Sequence, residues 1–136
     1  MNLLRIHDWQ ERLAAYVESR REKPFSWGAH HCGNWAFGGV EVITGRNLLS
    51  AELRVAETRA EVIRAMRLLG DSLKDVTTAL MGAEPVLPTL AAIGDIGMVA
   101  NPSALLICNG DTWLGVGRES VVVLPAESAV CAWKVG

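Results

Sequence analysis

Apolar residues change their spacing once along this chain, between Met81 and Ile93. That switch from a helical rhythm to short β-prone runs restricts the fold more than any single motif does. Before it, Trp9, Leu13, Tyr16 and Val17 fall at i, i+4, i+7 and i+8 with Glu11, Arg12 and Glu18 between them, so one face meets a core and the other meets water. Asp8 with Glu11 reads as an Asp form of the capping box that starts this helix, and Lys23 and Pro24 stop it. A second helix is expected from Cys32 to Thr44, closed by Gly45 in a left-handed turn. Its Gly38 and Gly39 cost helix propensity, which points to the close approach of another backbone there. Thr58 and Glu61 form a capping box ahead of Val62, Ile63, Met66 and Leu69, with Gly70 as the stop. Leu73, Val76 and Leu80 favour helix over 71–81, and Pro85 and Pro88 mark a loop.

Beyond Ile93 the runs 95–99, 104–108, 112–116, 120–124 and 129–135 each suit a strand, and Asn109-Gly110 joins the second run to the third as a hairpin. Helices followed by antiparallel strands predict an α+β fold, an N-terminal helical lobe packed on a small C-terminal antiparallel sheet. The 136 residues suit one domain over 1–136, mainly helical in 1–82 and mainly β in 93–136.

Half of the residues are apolar and 21% are charged, which excludes a disordered chain. Thirteen Lys and Arg against fifteen Asp and Glu leave a formal charge of −2, no field for gripping phosphate backbones, so nucleic acid is not an expected partner. No apolar run approaches the roughly 18 residues of a membrane span. Arg5, His7 and Asp8 are followed by no signal-type apolar segment, so a soluble product made in a cytoplasm is expected. Cys32, Cys108 and Cys131 are too few and odd in number for a disulfide framework and read as thiols, with a Cys108–Cys131 pairing left open.

The segment from Phe25 to Trp35 holds two of the three histidines, two of the five tryptophans and Cys32. A thiol at a helix start meets unpaired backbone N–H groups that lower its pKa, which is one half of a cysteine nucleophile; the other half is an oriented base. The competing reading of Cys32 is a small apolar residue packing helix against sheet. His30, His31 and Cys32 point in diverging directions as neighbours, so no metal site is expected, and the alternative is a surface turn with one imidazole capping the helix. His7 reads as a solvated end residue and most tryptophans as core. No cofactor is implied, since Gly115-Val116-Gly117 lacks the Lys and the strand-to-helix setting of a phosphate loop.

Taken together, Phe25 to Gly28, Cys32 opening a helix, Thr44-Gly45, Gly94-Asp95-Ile96, the run 104–110, Pro125 and Ala132-Trp133 resemble the NlpC-type papain-like cysteine peptidases of bacterial cell walls. The whole chain is more closely similar to small tail proteins of bacteriophages and gene-transfer particles related to that family. The resemblance implies a nucleophilic cysteine at Cys32 and a histidine on the second strand. This sequence departs from that pattern: His31 stands where Asp is usual, Asn34 where a Gly is usual, and Ser103 or Ala104 where the imidazole belongs. No histidine follows His31, and nothing polar stands near Leu114 to Val116 to orient one. General acid–base help is commonly worth about 10²–10⁴ in rate, so Cys32 is expected to be a nucleophile remnant, with His31 or His30 as the only substitute bases. The resemblance therefore implies a structural component of a phage or prophage tail tip, located in the virion. Its partners would be other tail-tip or hub proteins, or copies of itself in a ring. The alternatives are an active peptidase or amidase cutting peptidoglycan during genome entry, and a module that binds peptidoglycan or a peptide without cutting it.

Overall fold

The structure, a computed structural model, describes residues 3–136. Five helices precede five strands: α1 Trp9–Arg20, α2 Cys32–Thr44, α3 Ala51–Val55, α4 Arg59–Arg67 and α5 Leu73–Met81, then β1 Ile96–Val99, β2 Ala104–Cys108, β3 Thr112–Val116, β4 Val121–Pro125 and β5 Ala129–Trp133. The strands form one sheet in the order β4-β3-β2-β1-β5 with every neighbour antiparallel. The α+β expectation of a helical lobe on a small antiparallel sheet is met.

Caps set most of the helix limits. Thr58 and Glu61 make the reciprocal capping box that starts α4, Ser50 and Ser72 cap α3 and α5, and Gly45 and Gly82 close α2 and α5 at φ 77° and 66°. Asp8 departs from expectation. It sits at the N-cap of α1 but makes no side-chain cap bond, because its backbone (φ −105°, ψ 28°) is not in the extended region that aims a carboxylate at the first-turn N–H groups. Helix α4 ends at Arg67 rather than near Gly70, and α3 was not anticipated.

Helix α2 is the centre of the core. It packs against α1 and β2, burying Trp35, Phe37, Val40 and Ile43. Trp35 stacks on Tyr16 at 5.4 Å and donates its indole N–H to the Leu114 carbonyl at 2.9 Å, joining both lobes. Gly38 and Gly39 admit side chains, not the backbone expected: the Tyr16 ring lies over Gly38 and Ile107 over Gly39. Tyr16 donates its hydroxyl hydrogen to the Trp35 carbonyl at 2.8 Å, and burial pushes the phenol up to about 12 against the opposing Arg20 charge. Three of the five tryptophans, Trp35, Trp113 and Trp133, are core, while Trp9 and Trp27 are partly buried.

The strand period separates the sheet's two faces. Leu105 and Ile107 point to the helices; Leu106 and Cys108 point to a second, smaller cluster with Trp113, Ala129 and Ala132. Cys131 belongs to the helix-side cluster, so Cys108 and Cys131 lie on opposite faces and all three cysteines are free thiols. The hairpin between β2 and β3 turns on Gly110 and Asp111, with Asn109 bonded to the Thr112 carbonyl at 2.8 Å. Only Gly110 takes positive φ (92°), so Asn109 ends the strand instead of sharing the turn.

A buried ion cluster locks the ends of the chain to the sheet. The fully buried Asp95 carboxylate accepts from Arg5 at 3.0 Å, Lys134 at 2.6 Å and the N–H groups of Ala92 and Val135, both at 2.8 Å. Arg5 also donates to the carbonyls of Val135 and Ile93 and lies 4.1 Å over the Trp9 ring.

Candidate functional site

Helix α2 begins at Cys32 because His31 caps it. With an extended backbone (φ −97°, ψ 174°), His31 turns its ring over the first turn, where Nδ1 accepts from the N–H groups of Gly33 (3.0 Å) and Asn34 (3.4 Å). The Asn34 side-chain oxygen accepts from the His31 N–H at 3.1 Å and completes a reciprocal box. An imidazole that accepts through Nδ1 has no proton there, and its neutral ring then carries the hydrogen on Nε2. Nδ1 is thus committed to the cap, and the capping imidazole foreseen from sequence is His31.

This arrangement keeps His31 neutral at physiological pH. Burial first, and His30 beside it second, push its pKa down to about 4. The two acceptor bonds act in the same direction, since they favour the neutral ring. His30 is no better placed. It is 2% exposed, edge-on to Trp35 at 5.9 Å, and neither ring nitrogen makes a hydrogen bond. The carbonyls of Pro24 and Lys23 lie near it without hydrogen-bond geometry, while burial and the Arg20 and Lys23 charges hold its pKa below the ordinary value. The surface turn expected for this pair is in fact an interior one. His7 is exposed, as read from the sequence.

Cys32 faces the start of β2. The N–H groups of Leu105, Gly33 and Cys32 itself lie near the sulfur and draw its pKa down, but burial outweighs them and pushes the thiol up. The expectation that a helix start lowers this pKa is reversed here, because the sulfur sits deep enough that losing water costs the thiolate more than three amide dipoles return.

A cavity of about 190 Å³ is lined by Cys32, His31, Ser103, Ala104, Leu105 and Val116 among others. Ala104 and Leu105 therefore occupy the β2 wall beside the sulfur and Val116 the β3 wall, the two places where a base and its orienting partner would stand. Apart from Thr77, whose hydroxyl donates to the Leu73 carbonyl at 2.8 Å, the rest of the lining is mostly apolar and includes Phe37, Leu49, Leu53, Met66, Leu73 and Leu80. Phe25 and Trp27 meet edge-to-face at 4.8 Å on the loop before α2, and Trp27 lies 6.4 Å from the His31 ring. Sequence reasoning placed Cys32 and the β2 wall together but missed this apolar lining, whose members from α3, α4 and α5 carry no motif.

Among the described residues, no three His, Cys, Asp or Glu side chains are grouped so as to hold a metal ion, and no helix is long and apolar enough to cross a membrane.

A search of the curated proteins finds no match to the chain. Among solved structures it is similar to RipD from Mycobacterium tuberculosis, described as a non-catalytic NlpC/p60 domain protein with an adaptation to peptidoglycan-binding function. That likeness has 19% identity and a TM-score of 0.48 and covers 96% of this chain and 100% of that one. The profile of DUF6950, a family described as a domain of unknown function, matches residues 4–135, and the chain belongs to that family.

Proposed function

We propose that this protein is a structural component of a bacteriophage or prophage tail tip, in which an NlpC-type fold serves assembly and no longer catalyses. The observation that carries the non-catalytic part is the occupation of His31 Nδ1 as the acceptor that caps α2, beside a Cys32 thiol whose β2 wall offers only Ala104 and Leu105. A thiol without a base ionises poorly at neutral pH, and the leaving amine goes unprotonated. The tail-tip context is supported by the sequence resemblance to small tail proteins over nearly the whole chain. Leu4, Val55, Leu68 and Leu87 are each solvent-exposed and available for contact with a neighbouring subunit. Neighbouring hub proteins or further copies in a ring are the partners this reading names.

The test has two arms. Quantitative mass spectrometry of particles purified from a host carrying this gene is expected to find the protein at a fixed small copy number. Purified protein incubated with peptidoglycan fragments is expected to release no more product than the Cys32→Ala variant does. Absence from particles contradicts the tail-tip role; cleavage abolished by Cys32→Ala contradicts the loss of catalysis and restores the active-peptidase alternative.

A further inference from the structure

We infer that the cavity beside Cys32 is a socket for one uncharged apolar side chain, aromatic or branched aliphatic, presented by a partner polypeptide. The inference rests on the non-catalytic assembly reading for the source of that side chain and on the cavity alone for its chemistry.

Size narrows the occupant first. About 190 Å³ exceeds the roughly 150 Å³ apolar cavity that accepts benzene, and falls short of the roughly 300–1,000 Å³ of sites built for drug-sized ligands. One ring or one branched chain fills it.

Charge narrows it further. No Lys, Arg, Asp or Glu lines the cavity, and its one titratable base, His31, is neutral at physiological pH and occupied as a helix cap. An ammonium or carboxylate entering would lose its water and find no opposite charge. This chemistry favours an apolar side chain over a charged one.

The rim is built in advance. Phe25, 39% exposed, and Trp27 sit at the opening, in a loop closed on itself by the paired bonds between Ser26 and His30 (3.1 and 2.9 Å) and by the Ala29 N–H donating to the Ser26 hydroxyl at 3.0 Å. Phe25 itself donates its N–H to the Arg118 carbonyl at 3.3 Å, which fixes the rim to the β3–β4 turn. A hydrogen-bonded aromatic rim around an apolar pocket is how protein partners anchor a single side chain, because little ordering entropy is left to lose on binding.

The experiment uses NMR on the whole protein, following the Trp27 indole N–H and the Met66 methyl group during titration with N-acetyl-leucinamide, N-acetyl-phenylalaninamide and N-acetyl-lysinamide, and separately with a muropeptide. Saturable shifts of both reporters with either apolar amide, and none with the lysine amide, are expected. Ser103→Trp at the exposed rim and Ala104→Leu on the wall are each expected to weaken that binding by about tenfold or more. Two variants are used so that a folding defect in one, visible in its spectrum, leaves the other to decide. No saturable shift with the apolar amides, or equal binding of the lysine amide, overturns the socket. Muropeptide binding abolished by Ala104→Leu also overturns it, while leaving untouched the particle and cleavage results on which the assembly reading stands.

Discussion

Replacing Asp95 with alanine lowers the unfolding free energy by about 3–5 kcal/mol, the usual cost of removing one member of a buried ion cluster. The carboxylate has no exposed surface and satisfies four donors at once: Arg5, Lys134 and the main-chain N–H groups of Ala92 and Val135. Alanine leaves the two N–H groups without their acceptor and the largely covered Arg5 guanidinium without its counter-charge. Lys134, 46% exposed, returns to water more readily, so Lys134→Met is expected to cost no more than about 1 kcal/mol. Urea unfolding followed by circular dichroism separates the two. A loss below about 1 kcal/mol for Asp95→Ala would mean that the N- and C-terminal segments are not held by this carboxylate.

Acidification from pH 6.5 to 4 is expected to remove up to about 3 kcal/mol of stability through His31 alone. The folded pKa is depressed to about 4 from an ordinary 6.5, so between those values the unfolded chain holds a proton that the native one lacks. Stability therefore rises with pH across that window: it is fully present above 6.5 and is lost as pH falls towards 4. His30, also depressed by burial, adds loss in the same direction. Protonating Nδ1 of His31 also turns the acceptor of two α2 N–H groups into a donor, which undoes the cap. In His31→Asn, an uncharged side chain that favours the N-cap position, the pH dependence of urea midpoints over this window should flatten to what His30 and the carboxylates contribute. An unchanged slope would contradict the capping role.

Local chemistry made much of the fold readable in advance. Thr58 with Glu61 and Gly45 after Thr44 act over three or four residues and need no tertiary partner, so those helix limits stand where sequence put them. The β2–β3 hairpin was readable for the same reason. Asp8 failed because its carboxylate was judged by spacing, whereas capping also needs an extended backbone that Asp8 (φ −105°, ψ 28°) does not adopt. Helix α3, at five residues, is too short to show a period.

The site divides along the same line. Cys32 at a helix start and the histidine-free β2 strand were both visible in the sequence. The direction of the thiol's pKa was not, because the helix-start amides are local to α2 whereas burial is set by the tertiary packing around the sulfur. His31 was read as both a substitute base and a turn residue. Which nitrogen is consumed by the cap depends on its ring orientation, which only the packed structure supplies. The opposite-face placement of Cys108 and Cys131 likewise follows from the β1–β2 and β1–β5 registers, which pair strands far apart in sequence.

The pH titration of the Cys32 thiolate tests the central claim most directly, read as the ultraviolet absorbance difference between wild type and Cys32→Ser. Thiolate appearing only above the range of an ordinary cysteine, with no inflection near neutrality, is the predicted result. An inflection at or below neutral pH would mean that the sulfur has an ion-pairing base after all and would contradict the account.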